Sequence, residues 1–342
     1  MFIKSKDIAE LLGISRSTVS LAINNKPGVS TETKNKVIAV LEDFYSSGRF
    51  VANEEKNITD IKGSIVLVIH KAQKQLFLPN SFFQNVIDGI QSVSMHNNYM
   101  LEINYFNVGM NNKILIDSLS DSRVSGVIVY ATELPYSEIQ LYRELGKPVV
   151  ILDARFPVQD MDMVTLANHN GVACAVEYAY KLGHRRIGFL KSRTRINNFD
   201  DRYEGYVEGL KTVDLEFNEK YVFTTTCSIE GAAADFLKIL ETPIDELPTI
   251  FLTDLDYNVA GALRAIKKRK YKVPDDFSLI GFDDLELTSE LDPPLTTIRI
   301  KHRFGAIAME RLIKKIENDD GLYLNIEVAT ELVIRDSVRC IN

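Results

Sequence analysis

The sequence predicts a small all-α domain followed by a doubly wound α/β domain, and three observations support this. Residues 1–47 divide into three short helical stretches, separated by Gly13 and by a turn at residues 25–28. Residues 65–69 form a continuous apolar run of the kind found in a strand buried on both faces. Strand-like runs then alternate with helix-like stretches; the runs are 101–106, 126–130, 149–152, 186–190, 249–252 and 277–282. A length of 342 residues suits two or three domains.

The helical segment is predicted from its caps and its apolar spacing. Ser5, Ser15 and Ser30 are candidate N-caps for helices over residues 6–12, over residues 16–24 and after residue 30. Apolar residues recur at helical spacing in each helix: Ile8, Leu11 and Leu12; Val19, Ala22 and Ile23; Val37, Leu41 and Phe44. Two short helices joined by a Gly-containing turn are the geometry of a helix-turn-helix, whose second helix enters the DNA major groove.

Charge is distributed unevenly along the chain. The whole chain carries a net charge of −7, which by itself argues against nucleic-acid binding. Residues 1–36 hold six lysine or arginine residues and three acidic ones, so the remainder carries −10. A basic end on an acidic body is typical of a phosphate-binding module fused to a domain that does not touch DNA.

Composition and motifs exclude several classes of protein. No apolar run approaches the roughly 18 residues of a membrane helix, and the first residues lack the apolar stretch of a secretory signal, so we expect a cytoplasmic protein without a membrane partner. The three cysteines are widely spaced and are interpreted as reduced packing residues. No phosphate-binding loop, metal-binding motif or catalytic constellation occurs, so we expect no cofactor, no metal site and no enzymatic activity.

Several motifs resemble the LacI/GalR family of bacterial transcription regulators. Residues 13–20, GISRSTVS, and residues 24–30, NNKPGVS, resemble the DNA-binding headpiece of that family. Motifs further along the chain resemble its regulatory core; they are LGHRRIG at 182–188, RYEGY at 202–206, GFDD at 281–284 and PLTTI at 294–298. The resemblance implies a helix-turn-helix headpiece and a two-lobed core of the periplasmic-binding-protein type.

The resemblance also implies a domain organisation. It assigns residues 1–47 to the headpiece, 48–62 to a hinge or linker, and 63–342 to an effector-binding and dimerisation core. The N-lobe of the core is expected at about 63–163 and 295–322, and the C-lobe at about 164–292 and 323–342. The implied function is that of a homodimeric regulator, a repressor of transcription, which binds double-stranded operator DNA under the control of a sugar-like effector held between the lobes.

In the headpiece, the resemblance to the family implies that Arg16, Ser17 and Leu21 contact the DNA bases. The guanidinium group of Arg16 can donate two hydrogen bonds to guanine, whereas Leu21 offers only apolar contact, for instance to a thymine methyl group. The alternative for Leu21 is a place in the headpiece core. The other predicted DNA contacts, which touch phosphate or structure the turn, are Lys4, Lys6, Ser15, Thr18, Ser20, Asn24 and Lys34.

The hinge departs from the family pattern. Members of the family follow the headpiece with a helix whose leucine wedges into the minor groove and kinks the duplex. Here Glu55 occupies the place of that wedge, where phosphates would repel it. Phe50 or Val51 is the alternative wedge. The sequence therefore predicts little bending at the centre of the operator.

In the core, the same matching assigns seven effector-binding residues: Phe82, Phe83, Asp153, Asn198, Phe199, Arg202 and Asp256. Carboxylates and an arginine suit the hydroxyls of a sugar, and aromatic rings suit its apolar face. The alternative for Arg202 and Asp256 is a structural ion pair, and for Phe82 and Phe83 it is plain core packing. The alternative for the whole chain is a cytosolic sugar-binding protein, or a kinase-like enzyme, with an incidental helical extension.

Overall fold

The computed structural model describes residues 8–9, 12–23, 29–30, 33–34, 36–37, 61–71, 81–107 and 112–341. The chain divides into two compact units, Met1–Asp60 and Ile61–Asn342. The predicted positions of Lys4, Lys6, Asn24 and of hinge residues 48–60, Glu55 included, lie outside the described residues. In the described part of the chain, no helix has the length and apolar character needed to cross a membrane.

The first unit contains the predicted helices. Helix α1 spans Arg16–Ile23, and the described residues on either side of it, 8–9, 12, 33–34 and 36–37, are also helical. Gly13 adopts a φ of 63° in the turn before α1, a conformation that glycine adopts at little cost. The buried side chains of this unit form one cluster that draws on all three helical stretches: Ile8, Ala9, Val19 and Val37. The predicted helix-turn-helix is therefore confirmed in its described residues.

The second unit is an α/β structure with twelve strands among its described residues. They are β1 Gly63–Lys71, β2 Tyr99–Asn107, β3 Val124–Tyr130, β4 Val149–Leu152, β5 Asp162–Leu166, β6 Ile187–Ser192, β7 Val222–Thr225, β8 Ile250–Thr253, β9 Ser278–Asp283, β10 Thr296–Arg299, β11 Asn325–Val328 and β12 Glu331–Val333. All seven runs predicted from apolar patterning are strands. The other five strands are short, and their local pattern does not distinguish them from loops or helix ends.

Helices connect the strands of the second unit. They are α2 Ser81–His96, α3 Asn112–Leu119, α4 Ile139–Arg143, α5 Asn168–Lys181, α6 Asn197–Thr212, α7 Ile229–Ile239, α8 Asp256–Lys268, α9 Leu287–Glu290 and α10 Phe304–Glu317. Two short 3-10 helices, Tyr136–Glu138 and Glu219–Tyr221, precede α4 and β7. The α/β prediction is confirmed.

The strands form two six-stranded sheets, one in each lobe. The first sheet has the order β11-β5-β4-β3-β1-β2 and the second the order β12-β10-β9-β8-β6-β7. Every pairing is parallel except that of β10 with β12. Because nearly all strands run in one direction within each sheet, their carboxyl ends meet at one edge, where ligands bind in open α/β sheets.

The sheet membership of two strands differs from the expected lobe boundaries. Strand β10 was expected in the N-lobe but pairs with β9 in the second sheet. Strand β11 was expected in the C-lobe but pairs with β5 in the first. The chain thus crosses between the lobes three times: after β5, in the segment 166–187; after β10, in the segment 299–304; and between β11 and β12, in the segment 328–331. Pairing partners such as Met163 and Asn325 are far apart in the chain, so local patterning carries no information about them.

Candidate functional site

Helix α1 is held by a capping bond at its amino end. The Ser15 hydroxyl accepts a hydrogen bond from the Thr18 main-chain N–H at 3.1 Å, and the two side-chain oxygens lie 2.8 Å apart. A serine cap of this kind satisfies one of the N–H groups that a helix leaves unpaired. Val19 is fully buried in the cluster of the first unit. The cap and the buried valine together fix the helix with Arg16 exposed at its start.

The other predicted DNA-reading residues have different surroundings. Leu21 is half-buried, and the side chains that pack against the buried cluster in the described part of this unit are Leu12, Ile14 and Val29 instead. Base contact by Leu21 therefore stays a prediction, with a place in the headpiece core as its alternative. Ser17 and Ser20 lie within α1, and Thr18 and Lys34 are half-buried. Ser30 caps the third helix through the Thr33 N–H at 3.2 Å.

In the second unit, four charged side chains lie at or just beyond the carboxyl ends of parallel strands. Asp153 follows β4, Arg195 follows β6, Asp254 follows β8 and Asp283 ends β9. Asp153 and Asp283 have positive φ angles of 70° and 111°. Such backbone strain in residues other than glycine is concentrated at functional sites. The feature identifies this edge of the two sheets as the candidate site.

Asp153 connects the two lobes. Its Oδ1 accepts a hydrogen bond of 3.1 Å from Asn198 Nδ2, which belongs to α6 of the second lobe, and its Oδ2 accepts one from the Thr132 hydroxyl. Asn198 in turn accepts a bond of 3.1 Å from Asn168 Nδ2. Burial raises the pKa of Asp153 to about 6, although the hydrogen bond from Thr132 and the charge of Arg202 oppose the shift.

Arg202 is the most connected cation of the cleft. Its Nε donates to Asn168 Oδ1 at 2.9 Å, and its Nη1 donates to the main-chain carbonyl of Asp254. Nη1 also lies 3.3 Å from Asp283 Oδ1. The guanidinium carbon stands 3.5 Å from the centre of the Phe282 ring, a distance typical of stacking between arginine and an aromatic face. These contacts fix a guanidinium that is almost fully buried.

Asp256 lies near this network, but both oxygens of its carboxylate accept hydrogen bonds from residues of its own lobe. Oδ1 accepts a bond of 2.7 Å from the Thr297 hydroxyl, and Oδ2 accepts one of 2.9 Å from the Leu285 N–H. A Cβ atom at Gly281 would overlap Oδ1, so only glycine fits there. Burial and the neighbouring Asp283 raise the pKa of Asp256 well above its usual range. The ion pair of Arg202 with Asp256, considered above as an alternative, does not form.

The predicted aromatic residues pack around this edge. Phe83 meets Tyr130, the last residue of β3, edge to face at 5.4 Å between ring centres. Phe82 stacks on Phe304 at 6.2 Å. Both are half-buried, so part of each ring remains accessible. Phe199 is buried beside Arg202, 5.6 Å from the guanidinium carbon. The structure thus brings Phe199 close to Arg202 and places Phe83 against Tyr130, whereas Phe82 has mainly a packing contact.

Five site residues were not identified from the sequence: Thr132, Asn168, Arg195, Asp254 and Asp283. Their common signal is position, since four of them stand at or just after the carboxyl end of an apolar strand run. Asp254 is fully buried, and its Oδ2 lies 2.5 Å from Arg195 Nη1. Asn168 begins α5 and carried no comparable signal, because its contacts come from residues distant in the chain.

Two family models match the chain. The model described as "Bacterial regulatory proteins, lacI family" matches residues 5–44, and the "Periplasmic binding protein-like domain" matches residues 176–338. Among curated relatives, the HTH-type transcriptional repressor PurR of Mannheimia succiniciproducens is 29% identical over 337 residues and 98% of each chain. The repressor CytR of Escherichia coli strain K12 is 27% identical, over 98% of this chain and 96% of its own.

Solved structures show the same architecture. The lac repressor dimer bound to operator and the anti-inducer ONPF aligns with a TM-score of 0.70 at 22% identity, over 99% of this chain and all of that one. The complex of the transcriptional regulator CelR with cellobiose aligns with a TM-score of 0.71 at 21% identity, over 98% and 100%.

The names of the curated relatives agree with the prediction that this chain is not an enzyme, because both are repressors. The headpiece match, the match to the core, and similarity over nearly the full length of these repressors lead to one conclusion. The chain belongs to the lacI family of bacterial regulatory proteins and is a DNA-binding regulator of transcription.

Proposed function

We propose that this protein is a cytoplasmic, homodimeric repressor whose affinity for operator DNA is controlled by a sugar or sugar derivative bound between its two lobes. The names of the curated relatives support repression. Residues 1–47 would form the headpiece, 48–62 the hinge and 63–342 the effector-binding and dimerisation core.

The observation that carries the effector proposal is the polar network that crosses from one lobe to the other. Asp153 belongs to the first lobe, and Asn198, Arg202 and Asp283 belong to the second. A ligand that replaces the Asp153–Asn198 bond with its own hydroxyls would change the free energy of closing the lobes. A ligand shifts a conformational equilibrium only if it binds one conformation more tightly than the other, here the closed or the open arrangement of the lobes. Two structurally similar regulators were solved with sugars: CelR with cellobiose, and a regulator from Enterococcus faecium with ribose.

The homodimer proposal has support at one edge of the first sheet. Strand β2 ends that sheet, and large apolar side chains on it and on its flanking helices are exposed: Met95, Met100, Ile103, Tyr105 and Ile114. A cluster of exposed apolar residues on an edge strand is a typical protein–protein contact surface. Two headpieces held by a symmetric dimer would read two half-sites, which a specific operator requires.

The test is an operator-binding assay with and without candidate ligands. Promoter fragments from the organism's genome are screened by gel shift at two salt concentrations, because phosphate contacts make the affinity salt-dependent. The shifted fragment is then titrated in the presence of sugars, phosphosugars and nucleosides. We expect one fragment to bind at both salt concentrations and one ligand to change its affinity. Absence of any shift at low salt would contradict the proposed repressor function.

A further inference from the structure

A second polar cluster lies at the carboxyl ends of β6, β7 and β8, beyond the residues that the family pattern assigns to the effector. Ser192 ends β6, Thr225 ends β7, and Asp254 directly follows β8. Asn258 reaches the same place from the first turn of α8. All four side chains are buried. A buried polar cluster at this edge of a parallel sheet stands where ligands bind.

Two oxygen atoms of this cluster have no hydrogen-bond partner among the described residues: Asp254 Oδ1 and Asn258 Oδ1. Asp254 uses its other oxygen, which accepts the Ser192 N–H at 2.5 Å and pairs with Arg195. Asn258 uses its amide nitrogen, which donates to the hydroxyls of Ser192 and Thr225, each at 3.0 Å. Both side chains contact Ser192, so the two residues that carry the unused oxygens share one polar cluster. A buried acceptor without a donor destabilises the folded protein, so such atoms point to a missing partner.

An apolar wall joins this cluster to the cleft. Phe199, Cys227 and Leu255 pack together there. The guanidinium carbon of Arg195 lies 5.8 Å from the Phe199 ring centre, and that of Arg202 lies 5.6 Å from the same ring. Phe199 is therefore shared by the two clusters. An aromatic face next to buried acceptors suits one ring of a sugar-like ligand.

The charges of the site favour donors over anions. The site holds three carboxylates, those of Asp153, Asp254 and Asp283, and two guanidinium groups, those of Arg195 and Arg202. Arg195 is already paired with Asp254 and, at 2.8 Å, with Asp200. Arg202 is already paired with Asp283. A phosphate or carboxylate placed here would meet acceptors that repel it and arginines that are already neutralised.

We propose that Asp254 and Asn258 form a subsite that accepts hydrogen bonds from hydroxyl groups of an uncharged, sugar-like ligand and that excludes phosphorylated ligands. This inference rests on the proposed function, because the subsite extends the effector cleft. Burial raises the pKa of Asp254 to about 6, against the opposing charge of Arg195. A hydroxyl donor on the unused oxygen would stabilise the charged form and lower that pKa.

The experiment measures the thermal stability of the full chain with paired probes: ribose and ribose 5-phosphate, cellobiose and cellobiose 6-phosphate, adenosine and its monophosphate. We expect at least one uncharged member to raise the Tm, and its phosphorylated partner to raise it less. A phosphorylated probe that stabilises as much as its uncharged partner overturns the proposal. If no uncharged probe raises the Tm, the two oxygens hold water only and the proposal is wrong.

Variants of Asp254 and Asn258 are then tested for binding of the uncharged probe that raises the Tm. Asp254→Asn should weaken its binding about 10-fold or more, as expected for the loss of a charge-assisted hydrogen bond. Asp200→Asn is the matched control, because Asp200 pairs with the same Arg195 from the exposed side; we expect its binding to stay within about threefold. Should Asp254→Asn fail to fold, Asn258→Leu removes the second acceptor and should weaken binding comparably. Equal binding by wild type and the folded variants would overturn the subsite.

Failure of this proposal can be distinguished from failure of the proposed function. If the subsite is wrong but the function is right, Arg202→Ala abolishes the effect of the probe on operator affinity while Asp254→Asn leaves it intact. If the proposed function is wrong, no probe changes operator affinity in the wild-type protein, whatever its effect on the Tm.

Discussion

Arg202 forms its ion pair with Asp283, at 3.3 Å, and not with Asp256. The Asp256 carboxylate is held by Thr297 and by the Leu285 N–H, whereas the Asp283 side chain is about 15% exposed. Arg202 and Asp283 therefore form a unit at the carboxyl end of β9. Asp256 acts in its own lobe, by tying the start of α8 to β10 and to the segment after β9.

Replacement of Arg202 by alanine should separate effector binding from DNA binding. The change removes the partner of Asp283 and the bonds to Asn168 and Asp254. Loss of one partner of a buried, hydrogen-bonded charge pair costs roughly 2–5 kcal/mol, so the Tm should fall and the effector response should disappear. Operator affinity without ligand should stay nearly unchanged, because the DNA-reading residues lie in the other unit.

The measurement for this variant is an effector titration of operator binding together with differential scanning fluorimetry. Arg264→Ala is the control, since Arg264 is exposed and pairs loosely with Glu230 at 3.4 Å. An Arg202→Ala protein that responds at the wild-type ligand concentration would remove Arg202 from the site.

Dimerisation should depend on the exposed apolar face of β2. Light scattering of the wild type should give roughly twice 38.7 kDa. Ile103→Lys places a charge in the middle of that strand and should shift the mass towards one chain, because an unpaired charge in an apolar interface is costly. Ile334→Lys is the matched control, since Ile334 is also exposed but lies outside β2 and its flanking helices. A dimer that survives Ile103→Lys would place the interface elsewhere.

Base reading and phosphate contact should separate within the headpiece. Arg16→Ala should cost about 1–3 kcal/mol on the preferred operator and relax discrimination at one base pair per half-site. Lys6→Ala should weaken all sequences alike and make the salt slope shallower by about one unit. Leu21→Arg should shift preference towards a half-site with guanine. Binding titrations on operator variants at several salt concentrations measure all three, and equal losses on every sequence for Arg16→Ala would contradict the assignment.

His70 should make the core less stable in mild acid. It is fully buried at the end of β1, against Tyr142 and 3.7 Å from Glu138, and burial lowers its pKa from 6.5 to about 4. The unfolded chain therefore binds a proton at higher pH than the folded protein does. As the pH falls from about 6.5 to about 4, this residue alone should reduce the free energy of unfolding by up to about 1.4 kcal/mol per pH unit.

Urea unfolding at pH 7, 6 and 5 measures this effect as the difference between wild type and His70→Gln. The buried aspartates of the cleft, whose pKa values are raised, act in the opposite direction but are present in both proteins. The exposed His96→Gln serves as control. Parallel pH profiles for wild type and His70→Gln would show that the burial of His70 has no titration cost.

Much of the fold could be predicted from local patterns. Ser15 and Ser30 were identified as caps, and both accept the expected N–H bonds. The apolar runs predicted β1 and six further strands, because a strand buried on both faces must be apolar throughout. The lobe boundaries predicted from the sequence are wrong for the short strands β10 and β11. Strand β10 pairs with β9 and strand β11 pairs with β5, and these pairings depend on the fold of the whole chain.

The candidate site divides in the same way. Arg202, Asn198 and Asp153 were identified through motifs, and the structure brings them together. Their partners Asn168 and Asp283, and the second cluster around Asp254, required the folded chain. The sequence by itself determined the helix-turn-helix, the α/β architecture and the family, because caps, periodicity and motifs are properties of neighbouring residues. Only the tertiary structure decided which carboxylate pairs with Arg202 and which buried oxygens lack a donor, because those contacts join residues that are brought together solely by the pairing of distant strands.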